Sequence, residues 1–192
     1  MKIKWKGKLS ETNPFPTVEM PSNAVQFLEP KYKLESYIAV VPIIAFIAGC
    51  VYVRSHFIGE VKLNLPGYII GFLLTVPFLT IHELLHAVCF PTNAVVEIFY
   101  TNSGLGAFTS TPIPKSRYIF TLLFPAIILG IIPLLTWVFV PYYSITLNSI
   151  WFILSAGNLG GTIVDFYNLV HAIKEMPKGS VLQVSGLNCY YY

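Results

Sequence analysis

The sequence predicts an all-α integral membrane protein with four transmembrane helices and a short β-hairpin between helices two and three. Of its 192 residues, 55% are hydrophobic and only 11% are charged, and the mean hydropathy is +0.65. Soluble domains carry about 25% charged residues, so this composition excludes an ordinary soluble domain. Four apolar runs are each near the roughly 20 residues that cross a bilayer. A β-prone stretch separates the middle two runs.

The first 35 residues form a polar segment that is predicted to be cytosolic. A proline-punctuated stretch separates its lysines from the first apolar run, which argues against a cleavable signal peptide. Lys2 to Leu9 alternates lysine with other residues. This alternation is typical of a short strand with one basic face, and a disordered basic tail would show it equally well.

Residues 36–175 are predicted to form the membrane domain, and residues 176–192 a cytosolic C-terminal tail. Each apolar run is long enough to span the bilayer with some tilt. The predicted spans are about 36–58, 66–90, 118–140 and 145–173.

The stretch between the second and third spans favours a β-hairpin. Ala94 to Tyr100 and Leu105 to Thr111 are β-prone, and Thr101 to Gly104 supplies turn residues between them. The exposed edge of such a hairpin could pair with an extended substrate peptide. A plain connector explains the same pattern equally well.

The distribution of lysine and arginine predicts the orientation in the membrane. Ten of these residues lie on the side that bears both termini, whereas only Arg54 and Lys62 lie opposite. The positive-inside rule therefore places both termini in the cytosol. Basic residues that flank spans attract anionic headgroups, so the net charge of +3 indicates the lipid bilayer as partner and requires no nucleic acid. The three cysteines are most simply free thiols.

The second apolar run contains His82-Glu83-Leu84-Leu85-His86, an HExxH motif. Histidines four residues apart share one helix face, where both imidazoles can bind a single zinc ion, and the glutamate between them can act as a general base. Ionisable groups in a membrane cost several kcal/mol unless they pair or bind a metal. The motif therefore predicts zinc-dependent hydrolysis within a membrane, with Glu83 as the catalytic residue.

Asp165 is the predicted third zinc ligand, because a catalytic zinc usually takes three protein ligands. It is the only aspartate in the chain and lies in the fourth apolar run. At 100° per residue it shares one helix face with Ser155, Asn158 and Thr162, and Gly157 and Gly161 beside that face permit close approach of another helix. A carboxylate that merely holds the helices together is the alternative.

The expected depths of the three ligands agree. At 1.5 Å per residue, His82 and His86 lie on the order of 7 to 14 Å below the cytosolic end of span two, and Asp165 lies about 12 Å below the end of span four. All three would therefore meet in the cytosolic half of the bilayer.

Four other residues are alternative candidates for the third ligand. Cys89 follows His86 by three residues on the same face and stays open as a substitute for Asp165. Glu97 follows the motif too closely, and His171 lies near the end of span four, where interfacial roles are common. His56 lies on the opposite side of the membrane in the predicted topology.

An HExxH motif followed two spans later by an intramembrane aspartate resembles the site-2 protease class of intramembrane zinc metalloproteases. The segment His82 to Pro91 and the glycine-rich stretch ending at Asp165 are more closely similar to a zincin-peptidase family of small bacterial membrane proteins. The resemblance covers about residues 60 to 175. It implies that His82, His86 and Asp165 bind one zinc ion and that Glu83 is the base. Unlike site-2 proteases, the chain has Gly160 and Gly161 where prolines are usual.

The predicted function is therefore zinc-dependent peptide hydrolysis near the cytosolic face of the membrane, on a membrane-protein or peptide substrate. A non-enzymatic zinc-binding scaffold or a small cation transporter subunit is the competing class. Glu83 favours the enzyme, because a structural zinc site needs no base. No motif identifies the substrate or the oligomeric state.

Overall fold

The computed structural model describes residues 1–28, 40–101, 104–141 and 143–192. Helices and two β-sheets make up this part of the chain, so the protein is mixed α/β and the predicted all-α class is wrong. The helices are α1 (Val40–Phe57), α2 (Leu65–Cys89), α3 (Lys115–Pro125), α4 (Ile132–Phe139), α5 (Ile145–Gly161) and α6 (Ile163–Glu175). The strands are β1 (Lys2–Lys8), β2 (Val25–Phe27), β3 (Val95–Thr101), β4 (Gly104–Phe108), β5 (Ile113–Pro114), β6 (Val181–Ser185) and β7 (Asn188–Tyr191).

The fold-class prediction failed because most strands pair with partners that are distant in sequence. Lys2 in β1 pairs with Val95 in β3, and Val25 in β2 pairs with Tyr191 in β7. Apolar run length identifies helices locally. The length of an apolar run contains no information about which short strands pair when they are far apart in the sequence.

Three helical stretches are long and apolar enough to cross a membrane: α1, α2 and the stretch Lys115–Phe139. Helices α5 and α6 pass the same test only as a pair, and they are bent by 44° at Thr162. The start of the predicted first span, residues 36–39, lies outside the described residues, as do Lys31 and Lys33 from the charge count.

The stretch Lys115–Phe139 is interrupted by the π-helical segment Ala126–Ile131, which joins α3 to α4. Pro125 and Pro133 flank this segment, and prolines remove helical hydrogen bonds. A Cβ atom at Gly130 would lie 2.5 Å from Leu159 Cγ. The missing side chain therefore lets α5 pack closely against the π-helical segment.

The structure divides into two compact units, of which the first comprises Met1–Lys33, Glu83–Phe124 and Tyr167–Tyr192. It contains both sheets. One sheet has the strand order β1-β3-β4, with β1 parallel to β3 and β4 antiparallel to it. The β3–β4 pair is the hairpin expected between the second and third apolar runs, although Asn102 and Ser103 of its turn lie outside the described residues.

The second sheet has the order β2-β7-β6-β5, and all its pairs are antiparallel. Gly186 turns the chain between β6 and β7 with φ +58°, a conformation that favours glycine. Ser185 exchanges hydrogen bonds with the backbone of Val18. This sheet therefore joins residues near both ends of the chain. The apolar core of the unit includes Phe27, Ala87, Phe90, Val96, Tyr118, Leu122, Ala172 and Leu182.

The second unit comprises Leu34–His82 and Pro125–Phe166. Its core includes Ile43, Leu134, Trp137 and Leu159. Arg54 is fully buried, with its guanidinium 4.3 Å from the Trp137 ring centroid and Nη1 donating to Val140 O. The indole Nε1 of Trp137 donates to Asn148 Oδ1 at 2.8 Å. Arg54 and Trp137 thus each bind a specific partner within this unit.

Candidate metal centre

Helix α2 positions the HExxH residues near its C-terminal end. His82 and His86 lie one turn apart on a buried face, with exposures of 3% and 7%, whereas Leu84 and Val88 are exposed. The 3.6-residue period of the helix places positions four apart on the same side. The motif therefore presents both imidazoles to the protein interior.

The imidazole of His86 is held by a backbone carbonyl. Its Nδ1 lies 2.8 Å from the Thr121 carbonyl oxygen of α3. A carbonyl oxygen only accepts, so Nδ1 carries a proton, and in the neutral ring Nε2 is then the nitrogen with the lone pair that can bind a metal. Metal-binding histidines almost always donate their other ring N–H in this way, which fixes the ring and its tautomer.

Asp165 lies in the first turn of α6, immediately after the bend at Thr162. A carboxylate there is favoured by the partial positive charge of a helix N-terminus. Its Oδ2 is 3.1 Å from His82 Nε2. The break between α5 and α6 thus places Asp165 at a helix terminus, whereas the sequence predicted a position inside one continuous span, about 12 Å from its end.

Two glycines of α5 align Asp165 with His82. A Cβ atom at Gly157 would lie 2.9 Å from Thr75 Oγ1, and one at Gly161 would lie 3.1 Å from Leu79 Cδ2. The pairs Gly157–Thr75, Gly161–Leu79 and Asp165–His82 follow one another at intervals of about one helical turn. This holds both along α5 and α6 and along α2. Close packing of α5 on α2, as the glycine spacing predicted, therefore determines which residue of α6 faces the histidine.

The ligand atoms of His82, His86 and Asp165 all lie within 4.8 Å of one another. Zinc bonds of 2.0–2.1 Å in a tetrahedral site place neighbouring ligand atoms about 3.3 Å apart. Two neutral imidazoles and one carboxylate also form a ligand set found in catalytic zinc sites. Both the donor chemistry and the spacing of these residues fit a zinc ion.

Glu83 is partly buried and accepts a hydrogen bond from a strand. The backbone N–H of Ala107 in β4 donates to Glu83 Oε2 at 2.9 Å. Ala107 pairs with Ile98 of β3 on its other side. Strand β4 is an edge strand, so only one of its sides pairs with β3. Its unpaired side lies beside the Glu83 carboxylate.

The other residues considered as ligands do not join this group. Among the described residues, His82, His86 and Asp165 form the only cluster with metal-ligand spacing. Buried Glu97 is 3.4 Å from Lys6 Nζ, and His171 pairs with Glu175. Cys89 is buried and does not belong to the cluster.

Thr121 and Ala107 were missed by sequence reasoning. Thr121 contacts the motif through its carbonyl oxygen, which every residue type has, and Ala107 contacts it through its N–H, which every type except proline has. The β-prone pattern around Ala107 indicated a strand near the motif. No residue-type signal indicated either contact.

The model of a protein family described as "Putative zincin peptidase" matches residues 73–181, more than half of the chain. The matched segment includes the HExxH residues and Asp165. No curated protein and no solved structure matches the chain. Zincins are zinc-dependent peptidases, and the apolar helices are compatible with a membrane location. The chain therefore belongs to this zincin family of metallopeptidases.

Proposed function

We propose that the protein is an intramembrane peptidase, similar to site-2 proteases, that hydrolyses a peptide bond near the cytosolic face of the membrane. One zinc ion would be held by His82, His86 and Asp165. The observation that carries the proposal is the convergence of these three ligand atoms within 4.8 Å, two of them on a helix apolar enough to span a membrane. Glu83 lies on the same helix, one residue after the first ligand.

The depth of the site supports cleavage near one membrane face. His82 and His86 precede the end of α2 at Cys89 by seven and three residues, or about 10 and 5 Å along the helix axis. Lysine and arginine are concentrated on that side of the predicted topology. Water for hydrolysis would reach the site from the cytosol over this short distance.

Each group in the proposed site would have a separate role in the hydrolysis. Zinc, when bound, supplies a Lewis acid that polarises the scissile carbonyl and makes water more acidic. Glu83 takes a proton from the attacking water and delivers it to the leaving amine. The Ala107 N–H holds the Glu83 carboxylate in place through its hydrogen bond. His86 is kept in the metal-binding tautomer by Thr121 O.

The outer edge of β4 is a suitable surface for the substrate. An extended peptide that adds to this edge would gain main-chain hydrogen bonds and lie beside Glu83. A helical substrate must first unwind, because only an extended backbone exposes its amide and carbonyl groups to a strand edge. The small residues Gly104, Gly106 and Ala107 leave room for that backbone.

The test is Glu83→Gln in the full chain reconstituted in lipid vesicles with a membrane-spanning model substrate. Glutamine keeps an oxygen for the Ala107 N–H but cannot act as a base. We expect cleavage to fall about 10²- to 10⁴-fold while zinc content stays at the wild-type level. Glu19→Gln, at an exposed position in the N-terminal segment, is the matched control. Wild-type cleavage by Glu83→Gln would exclude the mechanism.

A further inference from the structure

A surface groove of about 480 Å³ lies beside the ends of two candidate membrane spans. It is formed where α2 ends and α3 begins, and we call it the Arg117 groove. The proposed peptidase function does not use it. Its lining residues are Val88, Cys89, Ser116, Arg117, Phe120 and Phe124.

One end of the Arg117 groove carries a positive charge in a fixed position. Arg117 Nε donates to Cys89 O at 2.7 Å, and its Nη2 donates to Phe90 O at 3.1 Å. These bonds hold the guanidinium plane at the end of α2. Arg117 remains exposed, and Nη1 has no hydrogen-bonding partner among the described residues. The neighbouring Ser116 hydroxyl is also exposed.

The rest of the groove is an apolar channel that runs along α3. Arg117, Phe120 and Phe124 follow one another at spacings of three and four, so they lie on one face of the helix. The two phenylalanine rings are 5.2 Å apart, and Phe120 is 51% exposed. From Arg117 to Phe124 the face extends about 10 Å along the axis. Val88 of α2, 53% exposed, contributes to the opposite wall.

The order of these groups matches the order of groups in a phospholipid. Span ends lie at the headgroup level of a bilayer, and the interior of a span lies among acyl chains. In the groove, the cation is at the span end and the aromatic face continues towards the span interior. The hydrogen bonds from Arg117 to Cys89 O and Phe90 O explain the position of the arginine side chain. They do not explain why an open apolar channel adjoins the exposed guanidinium.

We propose that the Arg117 groove binds one anionic phospholipid. The phosphodiester accepts hydrogen bonds from Arg117 Nη1 and the Ser116 hydroxyl, and one acyl chain packs on Phe120, Phe124 and Val88. Arginine suits this role because its planar guanidinium donates several hydrogen bonds to a phosphate. A zwitterionic lipid fits the same channel, but its headgroup cation opposes Arg117.

The test is lipid binding by the purified full chain, measured by native mass spectrometry in detergent with added phosphatidylglycerol or phosphatidylcholine. We expect the wild type to bind one phosphatidylglycerol about fivefold more tightly than phosphatidylcholine, the preference expected from one cation near a headgroup. Arg117→Gln should remove this preference. Lys178→Gln, at an exposed lysine after α6, is the charge control and should keep it.

Because Arg117→Gln also removes the bonds to the end of α2, a second variant is needed. Phe120→Glu leaves those bonds intact and places a negative charge in the channel, so it should weaken phosphatidylglycerol binding at least fivefold. Phe120→Leu keeps the wall apolar and should bind as the wild type does. Equal lipid preference in wild type, Arg117→Gln and Phe120→Glu would overturn the proposal. Displacement of phosphatidylglycerol by millimolar inorganic phosphate would also overturn it, since the site would then recognise a free anion.

Discussion

At the scale of single residues, the proposed metal centre depends on side chains whose partners leave them little freedom. The Nδ1 atom of His86 is fixed by Thr121 O, and His82 Nε2 lies beside Asp165 Oδ2. Ligands held in this way lose little conformational entropy when a metal binds. Asp165 supplies the only negative charge of the set, and so it should matter most for the affinity of a divalent cation.

We therefore expect Asp165→Ala to release zinc from the purified protein, as measured by elemental analysis after dialysis. The change removes one of three ligands and leaves two neutral imidazoles. His171→Ala is the control, since His171 pairs with Glu175 away from the ligand cluster. If Asp165→Ala keeps one zinc per chain and Cys89→Ser loses it, Cys89 is the third ligand.

Cys189 gives a prediction that depends on pH. Burial raises the pKa of this thiol in β7 from about 9 to about 11. Only the thiolate reacts with iodoacetamide. At pH 8 the native protein should therefore have about 100-fold less Cys189 thiolate than the denatured chain.

The measurement uses a variant in which Cys50 and Cys89 are serine, so that Cys189 is the single thiol. Its native alkylation rate should rise about tenfold per pH unit between pH 8 and 10 and level off only above pH 11. Equal rates at pH 8 for native and denatured protein would contradict the raised pKa.

At the scale of elements, the approach of α5 to α2 determines whether Asp165 faces His82. Gly157 and Gly161 permit this approach, and the bend at Thr162 then begins a new helix at the level of the histidines. Helix packing in membranes relies on such small residues, because van der Waals contact replaces the hydrophobic effect. The spacing of α5 from α2 is thus a condition for assembling the ligand set.

Gly157→Ala tests this spacing. The new Cβ would lie 2.9 Å from Thr75 Oγ1 on a short, branched side chain, so α5 has to shift. We expect a loss of about 1 to 3 kcal/mol of stability and weaker zinc binding, measured by thermal unfolding and metal titration in detergent. Gly160→Ala is a close control, since nothing lies within 4 Å of its added Cβ. Equal effects of both changes would show that helix propensity, and not the contact, is responsible.

The elements also show why sequence reasoning succeeded for some features and failed for others. His82, His86 and Asp165 stand out by residue type in apolar runs, and helical periodicity is a local property, so their meeting was predictable. The pairing of β1 with β3 depends on contacts between residues about 90 positions apart, which no local pattern encodes. The bend at Thr162 was also missed, because Thr162 is an ordinary residue within an apolar run.

At the scale of the whole molecule, the second sheet would restrict the ways in which the chain can cross a membrane. It joins β2 from the N-terminal region, β5 from the connection before α3, and β6 and β7 from the C-terminal end. Hydrogen-bonded strands of one sheet lie on one side of a membrane, since an open sheet edge is not tolerated in hydrocarbon. The sheet thus provides a reason, independent of charge, for both termini to share a side.

The excess of lysine and arginine on that side then predicts that it is the cytosol. Single cysteines introduced into a cysteine-free variant test this with a membrane-impermeant maleimide. In intact cells Glu60→Cys, between α1 and α2, should react, because Glu60 is exposed and the predicted topology puts it on the side opposite the termini. Glu19→Cys and Lys178→Cys should react only after permeabilisation. Labelling of Glu19→Cys and Lys178→Cys on different sides would contradict the shared sheet, whereas reversed labelling of all three would contradict only the orientation inferred from charge.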